Sequence, residues 1–186
     1  MAIHTIQLQN IPVAHEVHIV SFKDVENASF LREQLLGGNA EFEYAFVDAS
    51  TIVSTAHILV AVHQAVHKLL VNEKLRTRNV HSEIVFSLSP NNNITEAFRR
   101  FGIGENTKSL LCVKISSPEK TISAAEVEKH LMESVKGTQM EFNESTIAAE
   151  TDWANVGKCY KMKGCKEISK EVELEVLGKM VMRSVG

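Results

Sequence analysis

Short runs of β-branched and aromatic residues, several of them alternating with polar residues, predict five strands along the chain. In the first run apolar side chains fall on both sides of the strand, together with His18 and Ser21, which indicates a strand with a mixed face. The fourth run is apolar enough to be buried on at least one face. The predicted strands are residues 15–22, 44–47, 83–88, 109–115 and 138–142.

Apolar residues that recur every three or four positions predict helices between these strands. The longest early helix begins after Ser54 or Thr55 and carries one apolar stripe, which should face the core. A further helix is predicted around Trp153, followed by a strand end near Tyr160. The stripe of the early helix consists of Ile58, Leu59, Val62, Val66, Leu69 and Leu70.

Capping residues mark the ends of four other helices. Asn93 and Ser123 each stand three residues before a Glu, which is typical of a capping box, and glycines follow several of the apolar segments. These signals predict helices from Asn27 to Gly37, from Asn93 to Gly102, from Ser123 to Val135 and from Ser169 to Arg183.

Helices and strands alternate unevenly, and several strands lie close enough along the chain to form hairpins. A length of 186 residues suits one domain with a sizeable core. The pattern therefore predicts an α+β (mixed α/β) fold in which residues 1–186 form a single two-layer domain. It should contain a small, mainly antiparallel sheet packed against helices, and a C-terminal helix.

Composition adds a local charge signal to an otherwise ordinary sequence. Hydrophobic residues make up 44% and charged residues 23%, which is typical of a soluble globular protein rather than a disordered one. The net charge is −3, yet residues 74–100 hold five Lys or Arg against two Glu. Residues 119–152 hold eight acids against three Lys. This asymmetry indicates a local site for anions on a mildly acidic protein.

The cysteines and the hydropathy pattern indicate the cellular compartment in which we expect the protein. Cys112, Cys159 and Cys165 have neither the number nor the spacing of a disulfide framework or a zinc ribbon, so we expect a reducing compartment. No charged and then apolar leader opens the chain, and no apolar run approaches the ~20 residues of a membrane span. We therefore expect an intracellular protein without a membrane partner.

The stretch from Asn72 to Ile103 combines cations with an asparagine-rich turn. Lys74, Arg76 and Arg78 alternate along an extended segment, so their side chains should point to one side. The turn residues Asn91, Asn92 and Asn93 precede a helix, whose N-terminus attracts anions. Two interpretations stay open: a turn rich in Asn for conformational reasons, or amides and cations that contact unpaired RNA.

Other candidate chemistry is sparse. His63 and His67 stand one helical turn apart, which is metal-ligand spacing, but Gln64 occupies the position where a zinc protease motif has its glutamate. The sequence lacks phosphate-binding glycine loops and a nucleophile elbow. We therefore predict neither a cofactor nor catalysis, and keep a His-based metal enzyme as a minor alternative.

Three stretches of the chain resemble the PRPK-binding protein (TPRKB) family, a small kinase-binding subunit of the KEOPS (EKC) complex. The most specific is KLRTRNVHSEIVFSLSPNNNITEAFRRFGI at residues 74–103. The others are FKDVENASFLRE at 22–33 and ILVAVHQAVHKL at 58–69. Together they span most of the first two-thirds of the chain.

The resemblance implies a non-catalytic subunit that binds a PRPK-type atypical kinase and the 3′ CCA end of tRNA. Such a subunit supports N6-threonylcarbamoyladenosine (t6A) modification and meets the threonylcarbamoyl synthase indirectly, in the nucleus and cytoplasm. From the cations and amides described above, we place the tRNA contacts of this chain at Lys74, Arg76, Arg78, Asn91, Asn92 and Asn93. A protein-only regulator of the kinase, without RNA contact, is the alternative.

The C-terminal helix is the predicted kinase-binding element. Val172, Val176, Leu177 and Met180 form one apolar stripe, and Leu174, Leu177, Val181 and Val185 form a second. The apolar arc covers more than half of the circumference, which is broader than one core-facing side requires. Either the domain buries the helix on two sides, or the second stripe binds the kinase.

Overall fold

One antiparallel sheet, built from the longest apolar runs, lies at the centre of the fold. In this computed structural model the described residues are 2–71 and 74–185, and they form five strands and eight α-helices. The strands are β1 (His4–Gln7), β2 (Glu16–Lys23), β3 (Ala45–Asp48), β4 (Leu110–Ser116) and β5 (Thr138–Met140). The helices are α1 (Ala28–Leu36), α2 (Thr55–Leu70), α3 (Val80–Ser87), α4 (Ile94–Phe101), α5 (Ala124–Ser134), α6 (Glu144–Glu150), α7 (Trp153–Tyr160) and α8 (Lys170–Val185).

The strand order is β1-β2-β4-β3, and β5 pairs with the second half of β2. All pairings are antiparallel, and the central pair runs from Glu16 opposite Ser116 to Phe22 opposite Leu110. The predicted α+β class with a small antiparallel sheet is thereby confirmed. β1 was not predicted, since its four residues are mostly exposed and show no apolar alternation.

Helices cover both faces of the sheet. Val17 and Val113 pack in one core with residues of α2, α3 and α8. Val20 and Cys112 pack in a second core with residues of α1 and α5. The two layers that we expected are therefore three, because β2 and β4 carry apolar side chains on both faces and each face must be covered.

The predicted strand at 83–88 is wrong, since this segment belongs to helix α3. Asn79 caps the helix by accepting the Ser82 N–H. Ile84, Val85 and Phe86 are all buried, because α3 lies between α2 and the strands β3 and β4. A short segment that is apolar on every side has no useful period, so tertiary packing decides its conformation.

Most predicted caps are confirmed. Ser54 caps α2, Asn93 caps α4, and Ser123 forms a full capping box with Glu126 at α5. Asn27 precedes α1 but does not cap it; its amide instead binds the Ser134 carbonyl and the Lys136 N–H. Residues 144–160 form α6 and α7 rather than a helix and a strand end.

The helices of the described residues include none that is long and apolar enough to cross a membrane.

Candidate functional site

Residues 74–78, here named the basic arm, present their cations outward. Lys74, Arg76 and Arg78 are exposed, whereas Leu75 and Thr77 between them are half-buried. The exposure of the three cations alternates as predicted, but residues 76–78 lie in bends rather than in an extended strand. The arm offers three positive charges to solvent.

A buried carboxylate holds the basic arm against α3. The Glu83 side chain is fully buried and accepts the backbone N–H groups of Arg76 and Thr77, each at 3.1 Å. It also accepts the Thr77 hydroxyl at 2.8 Å and the Lys68 ammonium at 3.5 Å. Because the clamp uses the backbone of Arg76, it leaves the guanidinium outside. A lone Glu within an apolar run was the sequence signal for this contact, and the strand prediction obscured it.

In the asparagine loop, residues Asn91–Asn93, two side-chain amides form hydrogen bonds within the protein and one does not. Asn91 Nδ2 donates to Glu96 at 3.1 Å, and its Oδ1 accepts the Asn93 N–H at 2.9 Å. Asn93 Oδ1 accepts the Glu96 N–H at 3.0 Å and caps α4. Asn92 is exposed, and within the described residues its amide has no hydrogen-bond partner. The structural interpretation therefore holds for Asn91 and Asn93, while Asn92 is available to a ligand.

Glu96 does not close the predicted capping box at α4. Its carboxylate binds Asn91 Nδ2 and forms an ion pair with Arg100, one turn further along the helix. Arg100 in turn donates to the Lys158 carbonyl at 3.2 Å. Glu96 and Arg100 thus connect the start of α4 to α7, and the Glu96 carboxylate does not accept the backbone N–H of Asn93.

The end of α8 contacts the asparagine loop. Arg183 is buried, and its guanidinium donates to the carbonyls of Phe86 and Asn91, the latter at 3.4 Å. The guanidinium also lies 4.2 Å from the centroid of the Phe86 ring. Burial lowers the pKa of Arg183 from its ordinary value. In the sequence Arg183 marks only the end of a helix, because its partners lie about 90 residues away.

A groove of about 700 Å³ opens beside the asparagine loop, between α1, β3, α3 and α4. Ile94, the first residue of α4, lines it together with Leu36 of α1, and both side chains are exposed. Tyr44 and Phe46 form its buried floor. The groove has no signal in the sequence, because its walls come from segments that are far apart along the chain.

Cations border this groove. Arg32 and Arg99 line it, and Arg32 pairs with Glu105 at 3.4 Å, whereas Arg99 is exposed. Arg78 of the basic arm lines a smaller neighbouring cavity that shares Leu35 with the groove. Glu105 also lines the groove, so two arginines and one carboxylate border its apolar interior.

The histidine pair on α2 shows no further metal ligands. The rings of His63 and His67 stack with their centroids 6.2 Å apart. Throughout residues 2–71 and 74–185, no three His, Cys, Asp or Glu side chains are grouped as metal ligands. The described residues therefore give the metal-enzyme alternative no support.

Helix α8 separates its two predicted stripes. Val176 and Met180 are fully buried, and Leu177 packs partly against the same core. Leu174 is 59% exposed, Val181 is 41% exposed, and the nearby Met182, which was not predicted, is 70% exposed. The side chain of Val185 lies outside the described residues. One side of α8 is core, and the other presents apolar side chains to solvent.

Comparison with known proteins places the chain in a family. Residues 22–184 match the family model described as "Kinase binding protein CGI-121". The chain belongs to the CGI-121 family. The resemblance drawn from residues 22–33, 58–69 and 74–103 is thereby confirmed.

Three relatives in the CGI-121 family cover between 83% and 97% of this chain. The EKC/KEOPS complex subunit cgi121 of Aspergillus terreus is 44% identical over 97% of this chain and 96% of its own. The EKC/KEOPS complex subunit CGI121 of Coccidioides immitis is 50% identical over 86% of this chain and 76% of its own. The EKC/KEOPS complex subunit TPRKB of Danio rerio is 35% identical over 83% of this chain and 84% of its own.

The CGI-121 match includes every candidate surface described above. It runs from the end of β2 through the basic arm, the asparagine loop and α4, and it covers α8 as far as residue 184. The edge strand β1 and most of β2 precede it. The last third of the chain, where α8 lies, is thus part of the family's shared sequence.

Proposed function

We propose that this protein is a non-catalytic subunit of a KEOPS/EKC complex. In this proposal it binds a PRPK-type atypical kinase through α8 and the 3′ CCA end of tRNA beside the asparagine loop, and thereby supports t6A modification. The names of its relatives support membership of the complex, and the family description supports a kinase partner. The apolar outer side of α8 is the observation that carries the proposal.

The outer face of α8, defined as Leu174, Gly178, Val181 and Met182, suits a protein partner. At ~100° per residue these four positions share the side opposite the buried Val176. A Cβ built at Gly178 would meet no atom within 4 Å, so another protein can approach the helix backbone closely there. Apolar side chains around an open glycine form a surface for docking a partner. Leu177, at its edge, links this face to the core.

The RNA part of the proposal is supported by charge and shape. The exposed cations of the basic arm can contact phosphates, and the free amide of Asn92 can bind a base edge or a sugar hydroxyl. The groove next to Ile94 can accept an unpaired nucleotide, since its interior is apolar and Arg32 and Arg99 border it. The buried Tyr44 and Phe46 rings form the floor, and the half-buried Phe98 ring also lines the groove.

Purification from the native cells tests the proposal as a whole. A tagged full-length chain should co-purify with the atypical kinase and with the threonylcarbamoyl synthase subunit, and cells that lack the protein should have less t6A in tRNA. A chain that co-purifies with the kinase alone, in cells with normal t6A, would favour the protein-only regulator. Purification without the kinase would contradict the proposal.

The RNA contacts make a separate prediction. Replacing Arg76 and Arg78 by Ala should weaken binding of full-length tRNA, because both exposed guanidiniums would lose phosphate contacts. The log–log salt slope of the affinity should become shallower by about one unit for each lost contact, measured by titrating tRNA at several salt concentrations. A tRNA without its CCA end should bind more weakly to the parent protein.

The matched control removes two cations on the other side of the sheet. Lys129 and Lys136 are exposed in and just after α5, which packs against the opposite face from α3. Their replacement by Ala makes the same change in net charge and should leave the salt slope unchanged. If the variant without Arg76 and Arg78 has the same log–log salt slope of tRNA affinity as the parent, the basic arm does not contact tRNA.

A further inference from the structure

We infer that the last two turns of α8 couple the two proposed surfaces, so that a kinase on the outer face of α8 tightens RNA binding beside the asparagine loop. The inference rests on the proposed function and adds a regulatory link between its two parts. It is based on Arg183, a side chain common to both surfaces. Arg183 lies on the helix that would bind the kinase, and it contacts the loop that would bind RNA.

Arg183 joins three elements in one buried contact. Its Nη1 donates to the Phe86 carbonyl in the last turn of α3 and to the Asn91 carbonyl at 3.4 Å. The guanidinium also lies against the Phe86 ring, 4.2 Å from its centroid. A buried guanidinium needs these acceptors, and the carbonyls would lose a charged donor if the helix end moved away.

The contact reaches the RNA side through Asn91. Its backbone carbonyl binds Arg183, while its side chain accepts the Asn93 N–H at 2.9 Å and donates to Glu96 at 3.1 Å. Asn92, the available amide, lies between these two held residues. The position of Asn92 and the start of α4 therefore depend on whether Asn91 is held.

The end of α8 is the element that can change state. Gly178 lies in the interior of the continuous helix α8, and glycine is among the residues least favourable to a helix interior. The segment after it is held inward by the buried Met180, by Arg183, and by Lys179 Nζ, which donates to the Tyr160 carbonyl at 2.7 Å. Terminal helical turns fray in general, and fraying here would break the contacts of Met180, Arg183 and Lys179.

A partner on the outer face would suppress this fraying. Leu174 and Met182 lie on both sides of Gly178 along the helix and are exposed, so one partner can cover the weak point and the turns after it. The asparagine loop would then be ordered before RNA binds, which lowers the entropy lost on binding. The same coupling must act in reverse, because linkage requires that RNA tighten kinase binding by the same factor.

The test measures tRNA affinity of the full chain, alone and with saturating kinase. For the parent we expect the kinase to tighten binding about fivefold or more. In Arg183→Met, which keeps the side-chain length but removes the donors, this ratio should fall towards one. Gly178→Ala strengthens the helix without a clash, so the free chain should bind tRNA more tightly and the kinase should add less.

Hydrogen exchange separates this effect from direct contacts between kinase and RNA. Without RNA, the kinase should slow exchange of the backbone amides of residues 91–93 in the parent and leave them unchanged in Arg183→Met. If both ligands bind but the affinity ratio is the same in the parent, Arg183→Met and Gly178→Ala, the coupling is refuted and the proposed function stands. If either ligand fails to bind the parent, the proposed function fails, and the coupling fails with it.

Discussion

Replacing Leu174 by Glu should release the kinase and leave the protein folded. The parent side chain is 59% exposed, so a carboxylate at this position stays hydrated in the free protein. In the complex the same carboxylate would be buried against an apolar surface without a partner. We expect kinase affinity to fall by about 100-fold or more, which corresponds to ~3 kcal/mol. Calorimetry with the purified kinase measures this loss, and thermal unfolding checks the fold.

Met132→Glu is the matched control for this variant. Met132 is 50% exposed on α5, which packs on the opposite face of the sheet from α8. The change places the same charge on another exposed apolar position, so kinase binding should persist. A Leu174→Glu protein that binds the kinase like the parent would move the docking surface elsewhere. One that unfolds would show that both stripes of α8 belong to the core.

Acid should destabilise the protein between pH 7 and pH 5 because of one buried histidine. The His57 ring is fully buried, and its Nδ1 accepts the Val53 N–H at 3.1 Å. Nε2 therefore carries the hydrogen of the neutral ring and donates to the Tyr160 hydroxyl at 2.8 Å, which donates to the Leu88 carbonyl. This chain of hydrogen bonds connects α2, α7 and the end of α3, and it requires a neutral imidazole.

The direction and size of this effect follow from linkage. Burial lowers the pKa of His57 from 6.5 to about 3 in the folded protein. Below pH 6.5 the unfolded chain binds a proton that the folded chain does not, so stability falls as the pH falls towards 3. From pH 7 to pH 5 the loss is ~2 kcal/mol, which denaturant unfolding at the two pH values can measure.

Two other groups with lowered pKa values also make the stability depend on pH, one within the range from pH 7 to 5 and one below it. Burial also lowers the pKa of His81, whose Nε2 accepts the Ile115 N–H, so His81 adds to the loss in the same direction. The polar contact with His81 Nδ1, 3.4 Å away, lowers the pKa of the Glu43 carboxyl from 4.5 to about 2. The stability due to Glu43 is therefore present above pH 4.5 and is lost between pH 4.5 and 2, below the measured range.

Substitution assigns the effect to His57. His57→Asn keeps an acceptor near Val53 but does not titrate, so this variant should be less stable at pH 7 and lose ~2 kcal/mol less between pH 7 and 5. His67→Asn changes an exposed ring on the same helix and should show the pH dependence of the parent. An unchanged pH dependence in His57→Asn would contradict the assignment.

Local signals in the sequence were sufficient for the helix starts and for the class of fold. Ser54, Asn93 and Ser123 cap their helices as predicted, because a cap involves a side chain and an N–H group only three residues apart. The antiparallel sheet followed from the long apolar runs at 15–22 and 109–115. The outward alternation of Lys74, Arg76 and Arg78 was equally local. Family membership was also predictable, since the motif at 74–103 is long and specific.

Tertiary packing decided the remaining features. The segment at 83–88 has the β-branched and aromatic composition of a strand, yet it is a helix because α2 and the sheet bury it on several sides. The clamp on the basic arm depends on Glu83 being buried in that helix. Asn91 and Asn93 are held by hydrogen bonds and Asn92 is exposed. This arrangement depends partly on Arg183, which lies 92 residues from Asn91 and binds its carbonyl.

The chain by itself therefore determined where α2, α4 and α5 begin, which two long runs form the centre of the sheet and which residues of the basic arm face solvent. These features arise from contacts within a few residues, which any segment carries with it. The tertiary structure alone decided the conformation of α3, the third layer, the groove beside Ile94 and the burial of Arg183. Each of these requires side chains from distant segments to meet, and burial against those neighbours outweighs the local preference of a short segment.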